Sequence, residues 1–289
     1  MRQVPALLLC ALLTFGCGSG ESTAGSVASA SETRDRSGRF DSAAAFELLV
    51  DQVERGPRPA GSPQSRALAE DLRRELPRGR FQRVPGGLRN VVGIVEGRNP
   101  KRRVALGAHY DTKDIPGFVG ANDGASGTAI VTQLARTIDR RELEPTVVFM
   151  LFDGEEAPRG VPDSQFYEAG LRGSRVAARK YRDLESMILL DFVGDRDLSI
   201  PREATSDPGL WRALRRAAAR SAHGSVFPPG IGPSVTDDHT PFLERGVPAI
   251  DLIDFEFDCF HRVCDDLGAV SRESVEAVGE SVYRLLRSL

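Results

Sequence analysis

The sequence predicts an α/β fold, a sheet with helices on both faces, and three observations carry that expectation. Short apolar segments alternate with amphipathic ones from about residue 81 to the C-terminus. Several of the apolar segments are unbroken, the pattern of strands buried on both faces of a parallel sheet. Chemistry-bearing residues follow those segments directly, where open α/β sheets place their ligands. The clearest case is Val147-Val148-Phe149-Met150-Leu151-Phe152, which runs into Asp153-Gly154-Glu155-Glu156.

Taken in order, Asp41 is placed to cap a helix reaching about residue 54, with Phe46, Leu49, Val50 and Val53 on its inner face. The Gly- and Pro-rich stretch 56–63 stops it, and a second helix covers 64–76. Strands are expected over 81–84, 89–95 and 103–108, a helix over 124–138, and a strand over 146–152. A helix over 171–181, a strand over 187–192 and a helix over 207–220 follow. A short helix at 239–245, a strand at 247–253 and a closing helix at 271–286 complete the alternation of a doubly wound sheet. No linker divides 40–289, which is expected to be one catalytic domain.

The first 39 residues read differently. Arg2 and the apolar run Ala6 to Phe15 resemble a signal peptide, too short to span a bilayer. It ends in Gly16-Cys17, similar to a bacterial lipobox in which the cysteine is acylated. Residues 1–17 are thus expected to be a signal peptide and 18–39, rich in Ser, Ala and Gly, a flexible tether. The product would be exported and lipid-anchored, facing the periplasm or cell surface. Of four cysteines, Cys10 falls in the leader and Cys17 is the lipidation candidate. Cys259 and Cys264 remain, either a disulfide of an exported protein or two thiols beside a metal site.

With 38 basic against 41 acidic residues and no long run of either sign, nucleic acid is not an expected partner. Four histidines limit the choice of imidazole ligands to His109, His223, His239 and His261. His223 has no motif around it and is expected at the surface, while His239 is expected to be structural. Beyond the paired glutamates, four polar clusters follow predicted strands or precede helices. They contain His109 and Asp111, Asp123, Asp191, and the pair Asp237 and His261. Singly, each is explained by a cap or a satisfied structural residue. Together they place the mixed N and O ligands of a zinc hydrolase-type site along one edge of one sheet.

The order His109-x-Asp111, Asp123, Glu155-Glu156, Asp191 and His261 resembles the M28 family of zinc aminopeptidases and glutaminyl-peptide cyclotransferases, over roughly residues 40–289. The resemblance implies a mixed, mostly parallel central sheet sandwiched by helices. In the aminopeptidase pattern two zincs share Asp123, with Glu156 and His261 on one and His109 and Asp191 on the other. Asp111 then orients His109, and Glu155 is the general base. The cyclotransferase branch is closer in the segment Asp237-Asp238-His239-Thr240-Pro241-Phe242-Leu243 and in Leu190-Asp191-Phe192-Val193-Gly194. That branch implies one zinc on Asp123, Glu156 and His261, with Glu155, Asp191 and Asp237 handling protons. Its substrate is a peptide or protein N-terminus beginning with glutamine.

Two tryptophans usual in that branch are missing. Pro158-Arg159-Gly160-Val161 lacks the first, and Phe260 stands where the second is expected. Phe118, Phe255 and Phe257 are the candidates to replace them. An aminopeptidase is the alternative, and a peptide-binding protein on an inactive scaffold a third possibility that the complete acid and histidine set opposes.

Overall fold

A computed structural model describes residues 40–289. The expected leader with Cys17 and the tether 18–39 lie outside the described residues. Six strands form one sheet: β1 Arg80–Val84, β2 Leu88–Val95, β3 Asn99–His109, β4 Pro145–Phe152, β5 Ser186–Asp191 and β6 Ala249–Ile253. Their order is β1-β2-β4-β3-β5-β6. Strand β2 pairs antiparallel with both β1 and β4, and the remaining pairs are parallel. All eight residues of β4 are buried, as an unbroken apolar run requires.

Among the described residues eight α-helices accompany the sheet: α1 Ser42–Glu54, α2 Pro63–Glu75, α3 Gly127–Thr137, α4 Phe166–Ala169, α5 Arg172–Lys180, α6 Pro208–Arg220, α7 Thr240–Leu243 and α8 Arg272–Leu286. Side chains alternate along each strand, so the sheet feeds two cores. Val104, Leu106, Val147, Phe149, Ile188 and Leu190 point to the face covered by α1, α2, α3, α6 and α8. Ala105, Val148, Met150, Met187 and Leu189 point to the opposite face, under Ala177 and Ala178 of α5 and Phe242 of α7. No helix among the described residues is long and apolar enough to cross a membrane.

The sheet order positions the site. From β3 the chain crosses through α3 to β4 on one side, then through α5 to β5 on the other. That reversal leaves a crevice at the carboxyl ends of β3, β4 and β5.

Three local departures from the sequence expectation have physical causes. Helix α3 starts at Gly127, because Asp123 and Gly124 (φ 86°) break the preceding turn, Ala121–Ser126. The inner face of α1 is Ala45, Leu49 and Gln52, with Phe46 and Val53 only partly buried. Gln52 is inside because its amide donates to the Ala125 carbonyl, a role that apolar periodicity does not register. One-turn α4 falls where no element is expected, closed by the Gly170 amide donating to the Phe166 carbonyl at 2.8 Å.

Candidate metal centre and active site

Four of the sequence-predicted site residues leave strands at the same edge of the sheet. His109 ends β3, Asp191 ends β5, and Glu155 and Glu156 follow β4. Asp111 organises the last of these. Its Oδ1 accepts from the Gly154 and Glu155 amides at 2.9 and 3.2 Å, and its Oδ2 from the Glu156 amide at 3.3 Å. The left-handed turn this demands falls on Gly154 (φ 77°), where a Cβ would meet Leu88 and Arg172. The resemblance assigned the Asp111 carboxylate to His109, but Oδ1 stands 3.8 Å from Nδ1, beyond hydrogen-bond range. The backbone oxygen of Asp111 accepts from His109 Nδ1 instead, at 3.0 Å.

Asp123, Glu156 and His261 converge. His261 Nε2 lies 3.3 Å from Glu156 Oε1 and 3.5 Å from Asp123 Oδ2. Asp123 Oδ2 and both Glu156 oxygens are buried without a hydrogen-bond partner, although Lys113 Nζ reaches within 3.0 Å of Glu156 Oε2 as an ion pair. Buried unpaired carboxylate oxygens around an imidazole nitrogen call for a cation, and one imidazole with two carboxylates suits zinc. The fit is therefore good for a metal held by these three residues, whose ligand atoms lie within 4.8 Å of one another. His109, Asp123 and Asp191 form a second such group. There, His109 Nε2 sits 3.2 Å from Asp123 Oδ1 and 3.3 Å from Asp191 Oδ1.

A third buried group, Asp237, His239 and Asp251, lies beside these. His239 is wholly buried between Thr205, Glu203 and Asp251. His223 is half-buried at the edge of a short turn and joins no site.

Three supports escaped the sequence. Asp265 accepts from the Asn122 and Asp123 amides at 2.7 and 3.0 Å, fixing the backbone of a metal-ligand candidate. Arg58, fully buried, donates to the Val119 and Gly120 carbonyls and braces the same turn. Burial lowers its pKa to about 10 against the pull of Asp123 and Asp265. Gly124 lies against His109, where a Cβ would stand 3.0 Å from the ring. The Asp265 arrangement predicts that Asp265→Ala leaves two buried amides unpaired and costs roughly 2–4 kcal/mol. Denaturant unfolding and metal titration of the variant should show lower stability and weaker metal binding together.

Cys259 and Cys264 are joined, with Cα atoms 5.5 Å apart, so the disulfide alternative holds. The ring it closes carries His261, held at φ 51°, a left-handed conformation unfavourable for a residue with a side chain. Phe260 stacks on His261 at 3.9 Å between ring centroids, and Phe118 meets it edge-on at 6.3 Å.

Protonation follows from crowding. Burial, then the neighbouring charges of Glu156, Asp237 and Asp238, hold the Glu155 carboxyl well above the ordinary range. Burial likewise raises Asp191 to about 7. For His261 burial acts downward, but Glu156 and Asp123 outweigh it and the imidazole pKa is raised above its usual 6.5. A zinc ligand must give up that proton. Zinc affinity is therefore expected to rise as pH increases through and above 6.5, with proton release on binding. Competition titration against a chromophoric chelator at several pH values measures both.

The crevice opens as a cavity of about 360 Å³ above these groups, with Glu155, Glu156, Asp191, Asp237 and His261 in its lining. Its aromatic wall is Phe166, Phe192, Phe255 and Phe260. Of the phenylalanines weighed from sequence, Phe255 reaches the cavity, whereas Phe118 and Phe257 are buried behind it.

Mixed sheet, strand-end carboxylates and imidazoles, and crevice together define an α/β scaffold with a candidate metal centre. The family model described as "Peptidase family M28" matches residues 90–286, and the chain belongs to that family. It is 28% identical over 236 residues to a glutaminyl-peptide cyclotransferase of Bos taurus, covering 68% of this chain and 65% of that protein. A glutaminyl cyclase of Bacteroides thetaiotaomicron bound to N-acetylhistamine superposes with TM-score 0.77 at 25% identity, over 87% of this chain and 99% of that one. A leucine aminopeptidase precursor from the same organism superposes with TM-score 0.78 at 25% identity, over 87% and 98%.

Proposed function

We propose that the protein is a zinc-dependent glutaminyl-peptide cyclotransferase, converting N-terminal glutamine of peptides or proteins to pyroglutamate with release of ammonia. The observation that carries this is the distribution of unpaired buried oxygens. Of the two groups that share Asp123, the one with Glu156 and His261 carries them, on Asp123 Oδ2 and both Glu156 oxygens, whereas Asp123 Oδ1 and Asp191 Oδ1 already have His109 Nε2 between them. His109, its pKa raised by Asp191 and Asp123 against burial, supplies the positive charge there as an imidazolium. Of these two groups, that leaves the one built on Glu156 and His261 asking for a cation. The relatives named for cyclotransferase and glutaminyl cyclase activity support the same choice.

Zinc held by Asp123, Glu156 and His261 would supply Lewis-acid polarisation of the substrate's γ-carbonyl. The remaining steps belong to the protein. The phenylalanine-walled cavity orients the glutamine side chain and keeps water from competing. Glu155 takes a proton from the α-amine as its nitrogen bonds to the carbonyl carbon, Cδ, of the side-chain amide. It returns that proton to the amide nitrogen, which leaves as ammonia. A carboxylate with a raised pKa is the stronger acceptor for this purpose. Asp191 and Asp237, both lining the cavity, accept hydrogen bonds from the reacting amine.

The proposal includes export. The leader 1–17 and Cys17 would supply a lipid anchor, and the Cys259–Cys264 disulfide suits an oxidising compartment.

A co-catalytic aminopeptidase is the second reading, and one observation favours it. His109 Nδ1 donates to a backbone carbonyl, which in the neutral tautomer turns a bare Nε2 toward Asp123 and Asp191. Native mass spectrometry of the zinc-loaded chain separates the two. One zinc per chain is expected, and two would favour hydrolysis.

A further inference from the structure

Two further clefts continue from the catalytic cavity. The first, about 340 Å³, shares Val235, Ile253 and Phe255 with it. The second, about 590 Å³, shares Ile231 with the first. Large apolar side chains stand exposed at both junctions, Phe255 at 44% and Ile231 at 67%. The Ile231 ridge is built rather than loose. Residues Arg202 and Ile231 form a parallel bridge, and the Gly232 amide donates to the Arg202 carbonyl at 2.8 Å.

Charge changes along this line. The middle cleft is lined by Glu203, Asp254 and Glu256. The far cleft is lined by Arg202, Arg212, Arg215 and Arg216, and no carboxylate lines it. Arg212, Arg215 and Arg216 fall at i, i+3 and i+4 of α6 and so share one face. Among the described residues none of the four forms an ion pair. The chain does not lack acids to pair them, with 41 acidic against 38 basic residues. Two are pinned through one nitrogen, Arg215 Nε to the Phe227 carbonyl at 3.0 Å and Arg202 Nη1 to the Ser206 carbonyl at 2.7 Å. Their other nitrogens remain as donors in a fixed place. Guanidinium groups so held suit carboxylates.

We infer that these clefts are the path of the substrate beyond its first residue, and that the arginine cleft selects peptides carrying carboxylate side chains well downstream of the N-terminus. The N-terminal register rests on the cyclotransferase proposal. The path itself rests on the continuity of the clefts and their charge. Exposed apolar contacts at Phe255 and Ile231 would hold the chain at the two junctions. The arginine contacts would weaken with salt, as solvent-accessible charge pairs do.

The test uses glutamine-initiated peptides of about fourteen residues, long enough at roughly 3.3 Å per extended residue to cross several clefts. A pair of aspartates is scanned along a neutral sequence, with lysine and neutral controls. At one or two downstream positions the aspartate pair should raise kcat/KM about tenfold, chiefly through KM, and salt should erode the gain. In Arg212→Glu with Arg216→Glu the preference should invert toward the lysine peptides. A gained preference of this kind cannot arise from misfolding. Equal kcat/KM for all peptides, or an aspartate preference that survives the double reversal, would overturn the inference. If no glutamine peptide turns over, the catalytic proposal has failed separately. Fluorescence anisotropy with the labelled peptides then decides, tighter binding of the aspartate peptide supporting the path and equal binding overturning it. Retention on anionic lipid vesicles without discrimination among peptides would instead assign the arginines to a membrane surface and overturn it too.

Discussion

Replacing Glu155 by glutamine is expected to slow cyclisation by roughly 10²–10⁴-fold, the usual span for removing a general acid–base. The substitution keeps the side chain's shape and the backbone amide that donates to Asp111 Oδ1. It removes one buried negative charge from a crowd that includes Glu156, Asp237 and Asp238, so the fold should tolerate it. Glu155 is not among the three residues proposed to hold zinc, and zinc content should stay at the wild-type value. The loss should appear in kcat with KM little changed, because the proton moves only as the ring closes. A Glu155→Gln protein with full kcat would remove the proton-shuttle role altogether.

Replacing His261 by alanine should abolish zinc binding at micromolar metal and activity with it. The remaining pair, Asp123 and Glu156, offers no imidazole, and loss of a direct ligand should weaken affinity by at least about the 100-fold seen for outer-shell partners. Zinc at a thousand times its Kd stabilises a protein by about 4 kcal/mol, so the wild type should melt higher when zinc is added. That increment should vanish in His261→Ala. Because His261 already sits at φ 51°, alanine there keeps a strained backbone, and apo-state stability should fall only modestly. A variant that still bound one zinc would place the metal on His109, Asp123 and Asp191 instead.

The sheet and the strand-end positions of four candidate site residues were legible in the sequence for a common reason. Unbroken apolar runs such as Val147 to Phe152 can be buried only in a sheet covered on both faces, and the residues that follow must emerge at its edge. His109, Glu155, Glu156 and Asp191 are therefore placed by chain order alone. Asp265, Arg58 and Lys113 were not legible. They act through backbone amides, carbonyls and a single ion pair contributed by distant parts of the chain, and none leaves a periodicity or spacing. Asp251 escaped as the middle of β6, an acid inside an apolar strand whose partner Asp237 comes from another loop. The role of Asp111 was taken from the family resemblance; here its backbone oxygen accepts from His109 Nδ1, while its carboxylate holds the amides of 154–156.

The most direct test of the account is the mass of a peptide with N-terminal glutamine after incubation with the zinc-loaded protein. Loss of one ammonia with every residue retained, faster than the spontaneous control, is the predicted result. Loss of the whole first residue would contradict it and identify an aminopeptidase, with His109 and Asp191 holding a second zinc.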